Sequence, residues 1–187
     1  MDYYYATLHF LVTPGVMIWL FVRRPHLYRG ARTVLVATTL IGLLGFYLYP
    51  TAPPRLLPQF GYIDTLLRYH TWGSLADPDI AQHSNQFAAM PSLHIGWAVW
   101  CAIAIFVCAR RTWVRVLGVL YPVGTLIVIV GTANHFILDA VGGVLIVVLG
   151  FGVQRLMSGR GAFVAPVDAP DFGLPDPDGP HVPHRRR

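Results

Sequence analysis

Five apolar stretches, at about residues 6–22, 33–49, 93–109, 116–131 and 136–153, decide what this chain can fold into. They are separated by arginine clusters, a proline-rich loop and one short polar turn. An α-helix rises about 1.5 Å per residue, so stretches of this length come close to spanning or span a hydrocarbon core of about 30 Å. Only 12% of the residues are charged and 55% are hydrophobic, against about 25% charged in soluble domains. The expected fold is therefore all-α, a polytopic transmembrane helical bundle with five spans, compatible with a further helix ahead of Met1. Pro14-Gly15 predicts a kink in the first span, which neighbouring helices can accommodate.

Topology follows from the arginines, since the chain contains no Lys and no Glu. Four of them stand between Arg23 and Arg32, Arg110, Arg111 and Arg115 follow the third stretch, and Arg155 and Arg160 follow the fifth. Cytoplasmic loops carry such excess, which places these clusters inside and the N-terminus outside. The formal charge of +5 is explained by topology, and without a basic-aromatic groove pattern it does not point to nucleic acid. Met1-Asp2-Tyr3-Tyr4-Tyr5 lacks the basic start of a cleavable signal. Cys101 and Cys108 would lie about 10 Å apart on one helix, too far for a disulfide.

Two domains of unequal character are expected. Residues 1–157 form the membrane-embedded unit, with an extracytoplasmic loop over 50–92. Residues 158–187, rich in Pro, Asp and Gly and ending in three arginines, read as a disordered cytoplasmic tail. Within the loop, 62–72 carries Tyr and Trp suited to a short interfacial helix, and Asp77-Pro78-Asp79 signals a turn.

Against this background the ionisable residues stand out. His135 and Asp139, four apart at the head of the fifth span, would share one helical face, and ionisable groups at membrane depth are costly enough to suggest function. The same topology brings Arg55, Ser92, His94 and Asn134 to the extracytoplasmic ends of the spans. Such a set supports phosphoryl transfer: an imidazole attacks phosphorus, a carboxylate holds its tautomer, and a second His protonates the leaving oxygen. Arg55, Ser92 and amides at the start of the third span suit the phosphate oxygens, with Asn134 and Gln86 as weaker contacts.

Other readings exist for each residue. His135 and Asp139 could be a packing pair, or with His94 a zinc or iron site by ligand type. Ser92 could cap the third helix, and no Gly-x-Ser-x-Gly elbow supports it as a hydrolase nucleophile. Arg55 could anchor at the interface. His9 and His26 read as packing or interface residues, His70 and His83 as loop residues, and His181 and His184 belong to the tail.

Pro91-Ser92-Leu93-His94 and His135-x-x-x-Asp139, after the proline-rich Pro50-Thr51-Ala52-Pro53-Pro54-Arg55, resemble the type 2 phosphatidic acid phosphatase superfamily of membrane enzymes. The resemblance implies a six-helix family fold, His135 as nucleophile, Asp139 as its orienting partner and His94 as general acid, with no metal or other cofactor. Two positions depart from the phosphatase pattern. The Lys of the first motif is missing, and Ile129 stands where an Arg precedes the third motif's His. Both departures, and Pro-Ser-Leu-His itself, resemble the inositol phosphorylceramide synthase or inositolphosphotransferase-like branch. The implied partners are a lipid phosphate substrate, membrane lipids and an acceptor that is water or an alcohol such as inositol, at the plasma membrane. A non-enzymatic phospholipid-binding or transport protein is the contrasting expectation.

Overall fold

A computed structural model describes residues 1–64, 68 and 86–165. Among these the chain forms five α-helices: α1 (Asp2–Arg23), α2 (Pro25–Leu48), α3 (Leu93–Cys108), α4 (Thr112–Gly131) and α5 (Ile137–Ser158). Two short 3-10 turns, Pro54–Leu56 and Pro58–Phe60, follow α2, and the sole strand-like feature described is an isolated bridge between Thr51 and Ala88. The expected all-α bundle is thus observed. Most of the expected 62–72 helix, the 77–79 turn, His70, His83 and the tail from 166 onward lie outside the described residues.

The helices are longer than the apolar stretches alone suggest. Basic Arg29 and Arg32, expected in a loop, are exposed residues in the opening turns of α2, and a single residue, Arg24, links α1 to α2. Pro25 explains this start, because proline at the first helical position lacks only an N–H that the helix leaves unbonded anyway. Long arginine stems can lie along an apolar helix while the guanidinium reaches water. Pro14 and Pro122 lie inside α1 and α4.

α2, α4 and α5 are each long and apolar enough to cross a membrane, while Thr7–Arg23 and Leu93–Cys108 are shorter apolar helices. Their outward faces remain apolar: Leu40, Leu44, Leu117, Leu120, Ile127, Leu145 and Val148 are all exposed. Water would not tolerate such continuous surface, but lipid does. α3 sits inside, packed against α1, α2, α4 and α5. Its Trp100 is fully buried and donates its indole N–H to the Ala31 carbonyl of α2 at 3.0 Å. Small residues bring the backbones together: a Cβ added at Gly143 of α5 would lie 2.5 Å from the Ser92 carbonyl oxygen, so only glycine permits this approach.

α3 has 16 residues, about 24 Å of helix, which is shorter than the hydrocarbon core. With its C-terminus beside Arg110 and Arg111, its N-terminus is recessed from the opposite surface. At the arginine-rich end, residues 161–165, grouped by composition with the tail, turn back onto the bundle. Ala162 is buried against Gly30, and Phe163 lies 6.1 Å from Phe151 between ring centres.

Candidate active site

Three segments distant in sequence meet at the end of the bundle opposite the arginine clusters, and backbone hydrogen bonds stitch them. Thr51 N–H donates to Phe87 O at 2.8 Å, and Ala89 N–H returns a bond to Thr51 O at 3.2 Å. The Thr51 hydroxyl accepts from Met90 N–H at 2.8 Å, fastening the approach to α3 beside the exit from α2. Arg55 N–H donates to Ala133 O at 2.8 Å, and Ser92 N–H to Asp139 O at 2.9 Å. Each bond satisfies a polar group that would otherwise be costly at this depth.

The α4–α5 connection is a tight turn that explains how His135 is presented. The Ile129 carbonyl accepts from both Asn134 N–H, at 3.0 Å, and His135 N–H, at 3.1 Å. Ala133 lies in the left-handed region at φ 53°, which costs a residue with a Cβ on the order of 1 kcal/mol. Asn134 offsets part of that strain, since its amide nitrogen donates to the Thr132 hydroxyl at 2.8 Å and to the Thr132 carbonyl at 3.3 Å. The Asn134 donor is thereby committed to shaping the turn. Strain of this kind concentrates at functional sites, where the surrounding structure enforces it.

His135 therefore does not share a helical face with Asp139 in the simple way that spacing suggests. It precedes the Phe136 cap, and α5 begins only at Ile137. The pair still meets because Asp139 folds back over the helix start: its Oδ2 accepts from Phe136 N–H at 2.8 Å and lies 3.4 Å from His135 Nδ1. This carboxylate complements the positive end of α5 and faces the imidazole at once. The separation is longer than a strong charge-assisted hydrogen bond, and such contacts tighten when substrate is bound. His135 and Asp139 are each 4% exposed, so the pair is desolvated.

His94, in the first turn of α3, lies edge-on to His135 with ring centres 5.7 Å apart and planes at 63°. Ser92 caps α3, its hydroxyl accepting from Ile95 N–H at a long 3.4 Å, and it is fully buried. Capping and phosphate binding are compatible at a helix N-terminus, where free amides converge. Arg55 is 7% exposed, which is far from an interfacial anchor in the open. Its Nη1 donates to Asp64 Oδ2 at 3.0 Å, while its buried Nε has no hydrogen-bond partner among the described residues. Among the described residues no three His, Cys, Asp or Glu side chains cluster as metal ligands would.

Sequence reasoning thus located Arg55, Ser92, His94, His135 and Asp139 at one end of the bundle, and the structure brings the three segments that carry them together. It did not identify Asp64 or His9. His9 of α1 stands edge-on to His94 at 4.4 Å between ring centres, with planes at 74°.

The profile described as PAP2 superfamily matches residues 1–153. A protein of Bacteroides thetaiotaomicron named phosphoinositol dihydroceramide synthase is 25% identical over 162 residues, covering 76% of this chain and 52% of that protein. The chain therefore spans about half the length of the curated relative it matches. No solved structure matches the chain.

Proposed function

Because the chain belongs to the PAP2 superfamily, and is a multi-pass membrane protein of that fold, we propose that it is a lipid phosphatase or phosphotransferase working through a phosphohistidine on His135. The observation that carries the reading is the meeting of His94, His135, Asp139 and Arg55 at one recessed end of an apolar bundle. Positive-inside topology makes that end extracytoplasmic, and the plasma membrane is the proposed location.

The geometry suggests the order of events. Asp139 faces Nδ1 of His135, so Nε2 is the nitrogen left to attack. As the N–P bond forms, the bond from phosphorus to the leaving oxygen breaks, and protonated His94 gives that oxygen its proton. Asp139 stabilises the positive charge that develops on His135. His94, now neutral, takes a proton from the incoming hydroxyl, which displaces His135 from phosphorus and restores both imidazoles. Arg55, through its Nε, and the amides at the Ser92-capped start of α3 hold the phosphate oxygens as charge builds. Asn134 contributes by fixing the turn that presents His135.

Alcohol transfer is the second reading, and two observations favour it. The relative's name describes a phosphoinositol transfer product, and Ile129 occupies the position where the phosphatase pattern has an arginine. The catalytic unit of this proposal is residues 1–157, since every residue given a role in it lies before residue 140.

The test is a panel of lipid phosphates and phosphodiesters, incubated with purified protein with and without inositol and other alcohols, and read by mass spectrometry. Acid-labile, base-stable phosphate on His135, absent in His135→Ala, is expected alongside product. Binding of the lipids without product over hours, or full turnover by His135→Ala, would replace the enzyme reading with a lipid-binding or transport role.

A further inference from the structure

We propose that His9 of α1 is a positioning residue for His94, fixing the orientation in which that imidazole delivers its proton; the inference rests on the acid role proposed for His94. His94 belongs to the first turn of α3, so no preceding helical turn lies beneath its side chain to restrict it. Rotation about its two side-chain torsions would move its nitrogens by more than the tolerance of proton transfer, and a misplacement of about 1 Å can cost about a hundredfold.

Two ring contacts of His94 bear on its orientation. On one side His135 stands at 5.7 Å between centres, the face towards which the proton must travel. On another side lies a narrow void bordered by Tyr4, Tyr121, Thr125, Val128 and Ile129. His9 stands against the ring as well, edge-on at 4.4 Å and 74°, the arrangement in which the positive edge of one ring meets the negative face of another. Edge-to-face contact favours one ring angle and disfavours the others.

His9 is in turn supported from behind. Its ring lies 5.8 Å from the indole of Trp97, and Trp97 Nε1 donates to the Thr39 hydroxyl of α2 at 2.9 Å. α1 itself is tied to α4 near this level, with the Tyr4 hydroxyl 3.2 Å from that of Thr125. A continuous set of contacts therefore runs from α2 through Trp97 and His9 to His94. It gives α1, which contributes no group to the reaction, a defined part in it.

The test uses leaving-group chemistry, because an acid matters only when the departing oxygen needs a proton. Dioctanoyl phosphatidate is compared with p-nitrophenyl phosphate or, where the transferred group carries inositol, dioctanoyl phosphatidylinositol with p-nitrophenyl inositol phosphate. In each pair the alkoxide needs protonation and the aryl oxide leaves without it. His9→Ala is expected to lower kcat for the alkyl ester by about ten- to a hundredfold, with KM within about twofold, and for the aryl ester by less than about threefold. His9→Phe keeps an aromatic edge and should recover most of the alkyl-ester rate. His94→Ala is measured alongside: equal losses on both esters would overturn the acid assignment and this inference with it. If His94→Ala discriminates but His9→Ala loses equally on both esters, loses on neither, or matches His9→Phe, the positioning role alone is overturned.

Discussion

The two ends of the bundle use the same residue type for opposite purposes. At the basic end Arg23, Arg29, Arg32, Arg110, Arg111, Arg155 and Arg160 are exposed, and Arg24 and Arg115 spend donors on the Cys108 and Ala109 carbonyls at the terminus of α3. These cations complete a helix end, and under the positive-inside rule they would set which way the protein crosses the membrane. At the other end Arg55 is buried, paired with Asp64 and tied by its backbone to the turn carrying His135. Burial and partners, not charge, therefore separate the arginines proposed to orient the chain from the one proposed to bind phosphate. The polar end is correspondingly dense in backbone hydrogen bonds, with a strained Ala133 among them, and the arginines of the basic end are exposed.

The largest effect that would sharpen this contrast is expected from Asp139. In Asp139→Asn the amide oxygen can still accept from Phe136 N–H, so α5 keeps its start, but the negative charge facing His135 is lost. Turnover should fall by about 10²- to 10⁴-fold, with the melting temperature in detergent nearly unchanged. Turnover within threefold of the parent would reduce Asp139 to a helix cap.

Arg55 comes next. Removing a charged hydrogen-bond partner costs about 1.5–3 kcal/mol, so Arg55→Ala should lower kcat/KM by about ten- to a hundredfold. It should also destabilise the protein, because the largely buried Arg55–Asp64 pair is broken. The double variant Arg55→Ala/Asp64→Ala is expected to regain stability and not activity. Recovery of activity in the double variant would mean that Arg55 merely neutralises Asp64, and the contrast between the two ends would fail.

Much of this is legible in the amino-acid sequence. Apolar length gave the helices, and arginine placement put His94, His135, Asp139 and Arg55 at one level, since two spans lie between the histidines. The rest depends on interactions that composition does not record. α2 starts at Pro25 because proline at a first helical position outweighs the loop-like look of an arginine cluster. Asn134 has the residue type of a phosphate ligand, yet a left-handed Ala133 beside it consumes its donor in the turn. His9 looked like a packing residue because a lone imidazole in an apolar stretch usually is one. The sequence signal for it lies in the span count: α1 begins at the same end as His94, so His9, early in α1, falls near its depth. Asp64 could not be read at all, as its pairing with Arg55 depends on how the chain folds after two 3-10 turns.

The smallest expected effect lies at the basic end and is the sharper control for that reason. Arg29 and Arg32 are exposed on the opening turns of α2, and the side-chain contact seen among the described residues is Arg32 over the Tyr28 ring at 5.7 Å. An exposed cation–π contact contributes about 0.5–1 kcal/mol. In Arg29→Ala/Arg32→Ala, turnover by correctly inserted protein should stay within about twofold of the parent, and the melting temperature should fall by only a few degrees. The change should appear instead in topology, as a larger fraction of chains whose polar end can be labelled from the cytoplasmic side, through a cysteine placed at Phe87. A loss of turnover comparable to that of Arg55→Ala, in chains shown to be correctly oriented, would mean that the two ends communicate through α2. Unchanged turnover with disturbed orientation would confirm that the cations at this end act on the membrane and not on phosphate.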